Sequence, residues 1–497
     1  MLRGITVREI GMPTRPFTRE QTWLLPPTLE ELIAATHPAR FVAAFVDELD
    51  RATWEELGVG LTDQERGAPA YDPRVLLSVW LYGFMTGVRS SRKLEAACRE
   101  QLPYLWLTGW QQPDHNTLWR FYHGHRRSMR HLLRRTVRIA VQAGLVDLAM
   151  QAVDGTRVAG NAARERSFDA TGLNRLLAQT EAAIAELEAQ NATAGEAAPP
   201  LLPPELARAQ ALQARVQAAL VQVQTAEGHR VNLTDPDAVL IRSRQGGGAG
   251  YNAQAVVAPM ATPSGEGAGS LITAADVVAS ASDQGQLLPM VAQADVLTGQ
   301  AAQVAVADGG YHSGPTVAAC AARGTTVLRP DTQRRALTNP FHKDNFIYQP
   351  ETDTFTCPHG QLLRFNRIKR RRGEEPVREY RTRGTVCRRC PAFGHCTTNW
   401  RRGRTLEITA YEAPLRQHRT LMATPQARAQ YRRRQGLIEP VFGILKEQQG
   451  LRRFWLRGLA NVRAEWALLA TAFNLRMLRR CWIQRGGKPL GFAGARV

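Results

Sequence analysis

The 497-residue chain is short of acid, short of aromatic rings and without long apolar runs. Asp and Glu number 44 against 64 Lys and Arg, a formal net charge of +20, and Phe, Trp and Tyr make up 7%. No apolar stretch approaches the ~20 residues that cross a bilayer. The longest, from Trp466 to Leu475, is flanked by Arg463, Glu465 and Arg476 and reads as a buried helix. The first residues, MLRGITVREIGMPTRPFTREQ, hold no apolar core of the kind a secretory signal needs. These absences predict a cytoplasmic protein with no membrane partner, and in that compartment seven cysteines do not imply disulfides. The glycine run QGGGAG lacks the Gly-Lys-Ser/Thr of a phosphate-binding loop and reads as a hairpin turn. No His-x₃-His pattern such as HExxH is present, which argues against a zinc-dependent hydrolase.

What is there is globular: 44% of residues are hydrophobic, and the length suffices for two to four domains. The excess of base points to nucleic acid, whose phosphates release counterions to bound Lys and Arg, or else to solvated surface charge. Residues 27–143 show helical spacing throughout. In HNTLWRFYHGHRRSMRHLLRRTVRIAVQAG, read as one long helix, Leu118, Phe121, Met129, Leu132, Leu133, Val137 and Val141 form a stripe. The opposite face is basic, with Arg120, Arg126, Arg127, Arg130, Arg134 and Arg135. A basic second helix fits a helix-turn-helix-like DNA reader with Arg126 and Arg127 toward DNA, or an all-helical scaffold with a solvated face.

From Leu148 strands alternate with helices. LAMQAVDGTRVAGNA, AVLIRS, YNAQAVVAP, SLITAADVVAS, VAVA and TTVLRP read as strands, and SDQGQLLPMVAQADVLTG and SGPTVAACAARG as helices. An Ala- and Gln-rich helical hairpin interrupts at 171–227. Asp154 and Asp308 each end an apolar strand and are each followed by glycine, while Glu439 sits in a late helix. One carboxylate at a strand end is usually a turn former. Three in the order strand, strand, helix suit an RNase-H-like core, in which hard oxygen ligands hold two Mg²⁺ or Mn²⁺ ions for phosphoryl transfer. Gly309 and Gly310 leave room for a DNA phosphate beside Asp308, or simply make the turn.

These residues resemble a known family. VDGT at Asp154, ADGGYHS at Asp308 and YRRRQGLIEPVFGILK at Glu439 are similar to the three motifs of bacterial insertion-sequence transposases of the DDE type. The accessory pieces DPDA (235–238), GYNAQ (250–254), RGL (457–459) and Glu465-Trp466 agree, and the resemblance runs from about Leu29 to Trp482. Its nearest group is the IS-eleven-eighty-two group, with a cysteine-rich insertion before the Glu. The resemblance implies metal-dependent cleavage at the ends of a mobile element and attack of the freed 3′-hydroxyl on double-stranded target DNA. It implies a homodimer or higher synaptic oligomer at the nucleoid. Asp154, Asp308 and Glu439 carry over as metal ligands, and Tyr431, Arg434 and Lys446 as the basic-aromatic signature around the Glu. In related groups the Arg stands four residues before the Glu; here that slot holds Gln435, and Arg434 stands five before. Seven residues separate Glu439 from Lys446, which puts both on one helical face and Lys446 near a phosphate or in solvent. A nuclease that cuts without joining, and a non-catalytic zinc-containing regulator, are the rival readings.

The insertion, 331–430, has no sustained apolar period. Cys357, Cys387, Cys390 and Cys396 in it have the spacing of a structural zinc site, with His359 or His395 as substitute ligands, or are reduced free thiols. Zinc would fold a segment too polar to make a core. Arg371, Arg372, Arg401 and Arg402 are read as phosphate contacts, and Trp400 as a packing residue rather than a base-stacking one. The expected organisation is α/β. A helical N-terminal DNA-binding domain spans 1–143, and 144–330 is the first part of an RNase-H-like core carrying the hairpin. A zinc-ribbon-like insertion spans 331–430, 431–482 is the last part of the core, and 483–497 is a tail.

Overall fold

The computed structural model describes residues 28–486 except 61–69, 194–203, 225–229, 244–245, 262–268, 331–337 and 371–374. Arg371 and Arg372, and most of the tail, lie outside the described residues.

The N-terminal region is helical: α1 (Pro38–Asp47), α2 (Arg51–Glu56), α3 (Pro73–Thr86), α4 (Ser91–Glu100), α5 (Leu102–Thr108), α6 (His115–His125) and α7 (His131–Gln142). Local chemistry sets these bounds. Asp72 caps α3 by accepting from the Arg74 N–H, Pro73 opens its first turn, and Gly87 closes it in the left-handed region at φ 81°. The single long helix expected over residues 115–143 is in fact α6 and α7 with a 3₁₀ turn, Ser128–Arg130, between them. The apolar stripe continues through the break because Met129 is buried in the turn, so periodicity alone could not show it.

The strands are β1 (Met150–Ala159), β2 (Ser167–Phe168), β3 (Val231–Asn232), β4 (Val239–Ser243), β5 (Gly246–Pro259), β6 (Ser270–Val278), β7 (Val304–Ala307) and β8 (Thr326–Leu328). Two long helices, α8 (Ala170–Thr193) and α9 (Pro204–Gln224), form the hairpin between β2 and β3 with their own small core around Leu173, Val216 and Leu220. The central sheet runs β4-β5-β1-β7-β8, with β6 also on β5. β5 is antiparallel to β1, β4 and β6, whereas β7 is parallel to β1 and β8 to β7. Side chains alternate across the pleat. Val153, Val256 and Ala307 pack on one face with α10 (Leu287–Thr298) and α11 (Gly314–Ala322). Ala152, Ala255 and Val306 pack on the other with the N-terminal and C-terminal helices in one continuous core.

The insertion departs from expectation. It is a five-stranded antiparallel sheet, β9 (Ile347–Gln349), β10 (Thr354–Thr356), β11 (Leu362–Lys369), β12 (Val377–Arg381) and β13 (Thr405–Thr409), with α12 (Gly384–Arg388) between β12 and β13. It has a core of its own, built from Phe346, Phe355, Leu363, Tyr380 and Leu406. Five side chains spread over 61 positions leave no visible period, which is why the segment reads as coreless.

The chain ends in α13 (Glu412–Ala423), α14 (Pro425–Glu447) and α15 (Leu459–Gln484). The accessory motifs meet at the start of α15. Asp235 accepts from the Tyr251 hydroxyl at 2.8 Å and the Gly458 N–H at 3.0 Å, and Asp237 accepts from the Leu459 N–H at 2.8 Å. Glu465, on α15, takes the Trp455 and Leu456 N–H groups and pairs with Arg89 at 2.7 Å, both side chains almost fully buried. Arg89 also donates to the Gly450 carbonyl. The loop after α14 is thereby pinned between the N-terminal helices and α15. Trp466 ties α15 to the sheet by donating to the Gln254 carbonyl at 2.9 Å.

Candidate active site

β1 and β7 run side by side with Val153 opposite Ala307; β7 ends there, with Asp308 just beyond it, whereas β1 runs on to Ala159 and Asp154, in its middle, stays paired with Ala255 of β5. Burial is the main cause that raises the Asp154 carboxyl above its ordinary range, and the nearby Asp308 adds to it. Arg434 and the Gly155 N–H pull the other way. Arg434, on α14, places Nη1 2.8 Å from Asp154 Oδ2, and Tyr431 interacts with the same guanidinium. The register is notable, since Arg434 makes this contact while Gln435 is exposed. Asp308 Oδ1 accepts the Gly310 N–H at 2.8 Å and caps a short 3₁₀ turn, Gly309–Tyr311.

Glu439 lies on the same helix, five residues past Arg434, hence about 140° round the axis at 3.6 residues per turn. Its side chain is exposed and makes no hydrogen bond or ion pair with Asp154 or Asp308. Lys446 stands in the last turn, half-buried, and α14 is continuous between the two. Among the described residues no three His, Cys, Asp or Glu side chains stand close enough together to hold a metal ion as they are.

A third acid, which sequence reasoning missed, stands close to these two, and all three act on Tyr311. Asp283 Oδ1 accepts from Asn252 Nδ2 and from Gln254 Nε2, both at 2.7 Å. The Tyr311 hydroxyl donates to Gln254 Oε1. Burial pushes the Tyr311 phenol well up, with Asp283, Asp154 and Asp308 adding to the effect. Gly155 must be glycine here: a β-carbon would stand 2.6 Å from Asp283 Oδ1 and 2.7 Å from Asn252 Oδ1. A signal did exist in the sequence. Asn252 and Gln254 share one face of an otherwise apolar strand, and two fully buried amides require an acceptor.

The remaining candidates lie elsewhere. Arg126 and Arg127 point their Nε atoms at Asn461 Oδ1, 3.2 and 3.4 Å away. Arg134 pairs with Glu56 at 2.5 Å and Arg135 is buried, so part of the expected basic face is committed inside the chain. Cys357, Cys387, Cys390 and Cys396 line one small pocket with His359 and Arg404. The Gln361 and Arg404 N–H groups each point at a sulfur, Cys357 Sγ and Cys387 Sγ, 3.3 Å away. Burial raises the Cys396 thiol, and the other three cysteines reinforce it. Cys98, Cys320 and Cys481 are buried, as small hydrophobes would be. Arg401 and Arg402 are exposed. Trp400 does not pack as expected: 54% of it is exposed, with the Arg401 guanidinium 4.8 Å from its ring centre.

Among the described residues no helix is long and apolar enough to cross a membrane. The search of curated proteins returned no match. Two family models do match. One, described as a Transposase domain, covers residues 27–124, the α1–α6 region. The other, described as a Transposase DDE domain, covers residues 356–479, from the insertion sheet through α14 and most of α15. DDE transposase domains generally use divalent metal ions, and both matches are to models of transposase domains.

Proposed function

We propose that the chain is a DDE transposase with an RNase-H-like core, which cuts the ends of a mobile element and joins the freed 3′-hydroxyl to target DNA. The observation that carries this is the juxtaposition of Asp154, within β1, and Asp308, just past the end of the parallel strand β7, beside a helix bearing Glu439. The strand order supports the core assignment: three antiparallel strands, β6-β5-β1, are followed by two that run parallel to β1. Asp154, Asp308 and Glu439 would hold the divalent ions, which activate the attacking oxygen and stabilise the leaving one. Arg434 neutralises Asp154 where a cation would otherwise stand, and Glu439 would be able to turn inward because no other described residue pairs with it. Lys446, Arg126, Arg127, Arg401 and Arg402 serve phosphates, and Arg371 and Arg372 are assigned the same role from sequence. The four cysteines fit zinc in residue type and in sharing one pocket, and Cys357, Cys387, Cys390 and Cys396 would hold it. A dimeric or larger synaptic assembly, an N-terminal DNA-binding role and the IS-eleven-eighty-two grouping complete the reading.

The test is a joining assay with DNA bearing the inverted repeats that flank the gene, in Mg²⁺ or Mn²⁺. A joined product with wild type, none with Asp308→Asn, and undiminished DNA binding by that variant are expected. Nicks without a joined product would indicate a nuclease instead. Elemental analysis of the purified protein, beside a Cys387→Ser/Cys390→Ser variant, reads the zinc directly.

A further inference from the structure

The insertion sheet carries a pairing that its own fold does not explain. Arg364 on β11 and Arg381 on β12 are direct cross-strand partners, and both are exposed. Like charges placed opposite each other destabilise a strand pair. Neighbouring bases avoid this. Arg367 and Lys369 reach Glu379, Lys369 also reaches Glu407 at 2.5 Å, and Arg378 reaches Asp353 at 2.6 Å. Arg364 and Arg381 have no such carboxylate among the described residues. They line a wide open groove together with Arg383, Arg388, Arg401 and Arg402, and among the described residues no Asp or Glu lines it.

One exposed aromatic ring stands in the same groove, that of Trp400, whereas the Phe365 ring packs on Tyr380 with the Arg378 guanidinium 4.8 Å from its centre. Trp400 is held there by close backbone contact. A β-carbon on Gly384 would stand 2.5 Å from the carbonyl oxygens of both Trp400 and Arg401. The chain at 400–401 therefore rests directly on the first residue of α12, and the indole is presented rather than buried. A polyanion removes the repulsion between Arg364 and Arg381. An exposed ring has no counterpart on a duplex, whose bases stay stacked on one another, but it matches the face of an unpaired base.

We propose that this groove binds a DNA strand with unpaired nucleotides, the arginines on its phosphates and a base stacked on Trp400. The proposal rests on the transposase reading in taking the strand to be DNA. The test measures anisotropy with the full-length protein, without added divalent metal, on a blunt 30-bp duplex and on the same duplex with an eight-thymidine tail. Stacking is worth roughly 1–3 kcal/mol per base, so the tail should raise affinity about 5- to 150-fold. Trp400→Ala should lose that gain and Trp400→Tyr keep it, with blunt-duplex binding unchanged in both. Arg364→Gln with Arg381→Gln should flatten the salt slope on the tailed probe by about 1.4, at ~0.7 per phosphate contact on a single strand. Thermal melts matching wild type would show that the variants fold, and the arginine pair offers an independent reading if Trp400→Ala does not. The idea is overturned if the tail adds nothing, if Trp400→Ala keeps the gain, or if an RNA tail binds more tightly than DNA. Joining activity is scored separately. Loss of joining with the tail effect intact removes the transposase reading, and the reverse removes only the groove.

Discussion

Asp154 is held by opposing influences, burial on one side and Arg434 on the other, and that balance governs how the site responds to cations. A metal ion held there, as the proposed function requires, would have to displace Arg434 to reach Oδ2. In Arg434→Ala the competitor is gone, and Asp154 is left half-buried without its charge partner. The metal-free variant should melt lower than wild type, and Mg²⁺ should raise its melting temperature by more, because a ligand stabilises in proportion to how tightly it binds the folded state. Equal shifts in the two proteins would mean that the ion does not meet Asp154. Asp283 makes a different prediction. It touches neither the Asp154 nor the Asp308 carboxylate through a hydrogen bond, yet it fixes the amides beneath them. Removal of such supporting partners typically costs 10- to 100-fold in metal affinity or activity. Asp283→Ala should therefore lower joining about tenfold or more, mostly as a raised metal requirement, while Asp283→Asn, which retains an acceptor oxygen, should lose less. Asp154 and Asp308 were legible because an acid ends each apolar run. Asp283 was not, since SDQGQ looks like any polar turn and its meaning lies on a distant strand.

At the scale of elements, the accessory motifs act as fasteners. DPDA and RGL meet as the cap of α15, and Glu465 binds Arg89 across 376 residues of sequence. Buried pairs broken on one side leave an unpaired charge and cost about 3–5 kcal/mol. Arg89→Met should destabilise by that order in chemical denaturation, with the double variant Arg89→Met/Glu465→Leu recovering part of the loss. If the two single variants and the double were additive, the pair would not be coupled. The sequence showed these motifs as scattered resemblances and gave no hint that they are joined, because hydrogen bonds to backbone N–H groups leave no trace in residue spacing. Elements with strong periods, such as β5, α10 and α15, were readable from it. The α6–α7 break and the insertion sheet were not, the first because apolar spacing survives the break and the second because the few core side chains of the sheet are spread too thinly along the sequence to show a period.

At the scale of the whole molecule, a basic insertion has to stay attached to the central sheet. One fastening is a charged cluster at its base. Arg419 on α13 donates to both oxygens of Asp344, at 2.5 and 2.6 Å, and to Glu412 at 2.7 Å, while Lys343 pairs with Glu412 at 2.5 Å. His342 and Arg416 also face Asp344. α13 in turn packs on α11, just beyond Asp308, and Tyr411 presses on Gly314 at the start of that helix. Burial works to raise the Asp344 carboxyl, but the Arg419 hydrogen bonds and charge outweigh it and hold it below the ordinary range. A lowered folded-state value means that the contribution is complete above the unfolded value of about 3.9 and fades as pH falls through the lower folded value. Asp344→Asn should therefore melt below wild type at pH 7, and the gap should narrow as pH drops below about 4. Because the cluster anchors the insertion to the helix beside Asp308, the same variant should lose joining activity near neutral pH while the isolated sheet core around Phe355 and Tyr380 stays folded, as near-ultraviolet circular dichroism would register. A gap that is constant from pH 3.5 to 7 would assign the stabilisation to packing of Arg419 rather than to its charge.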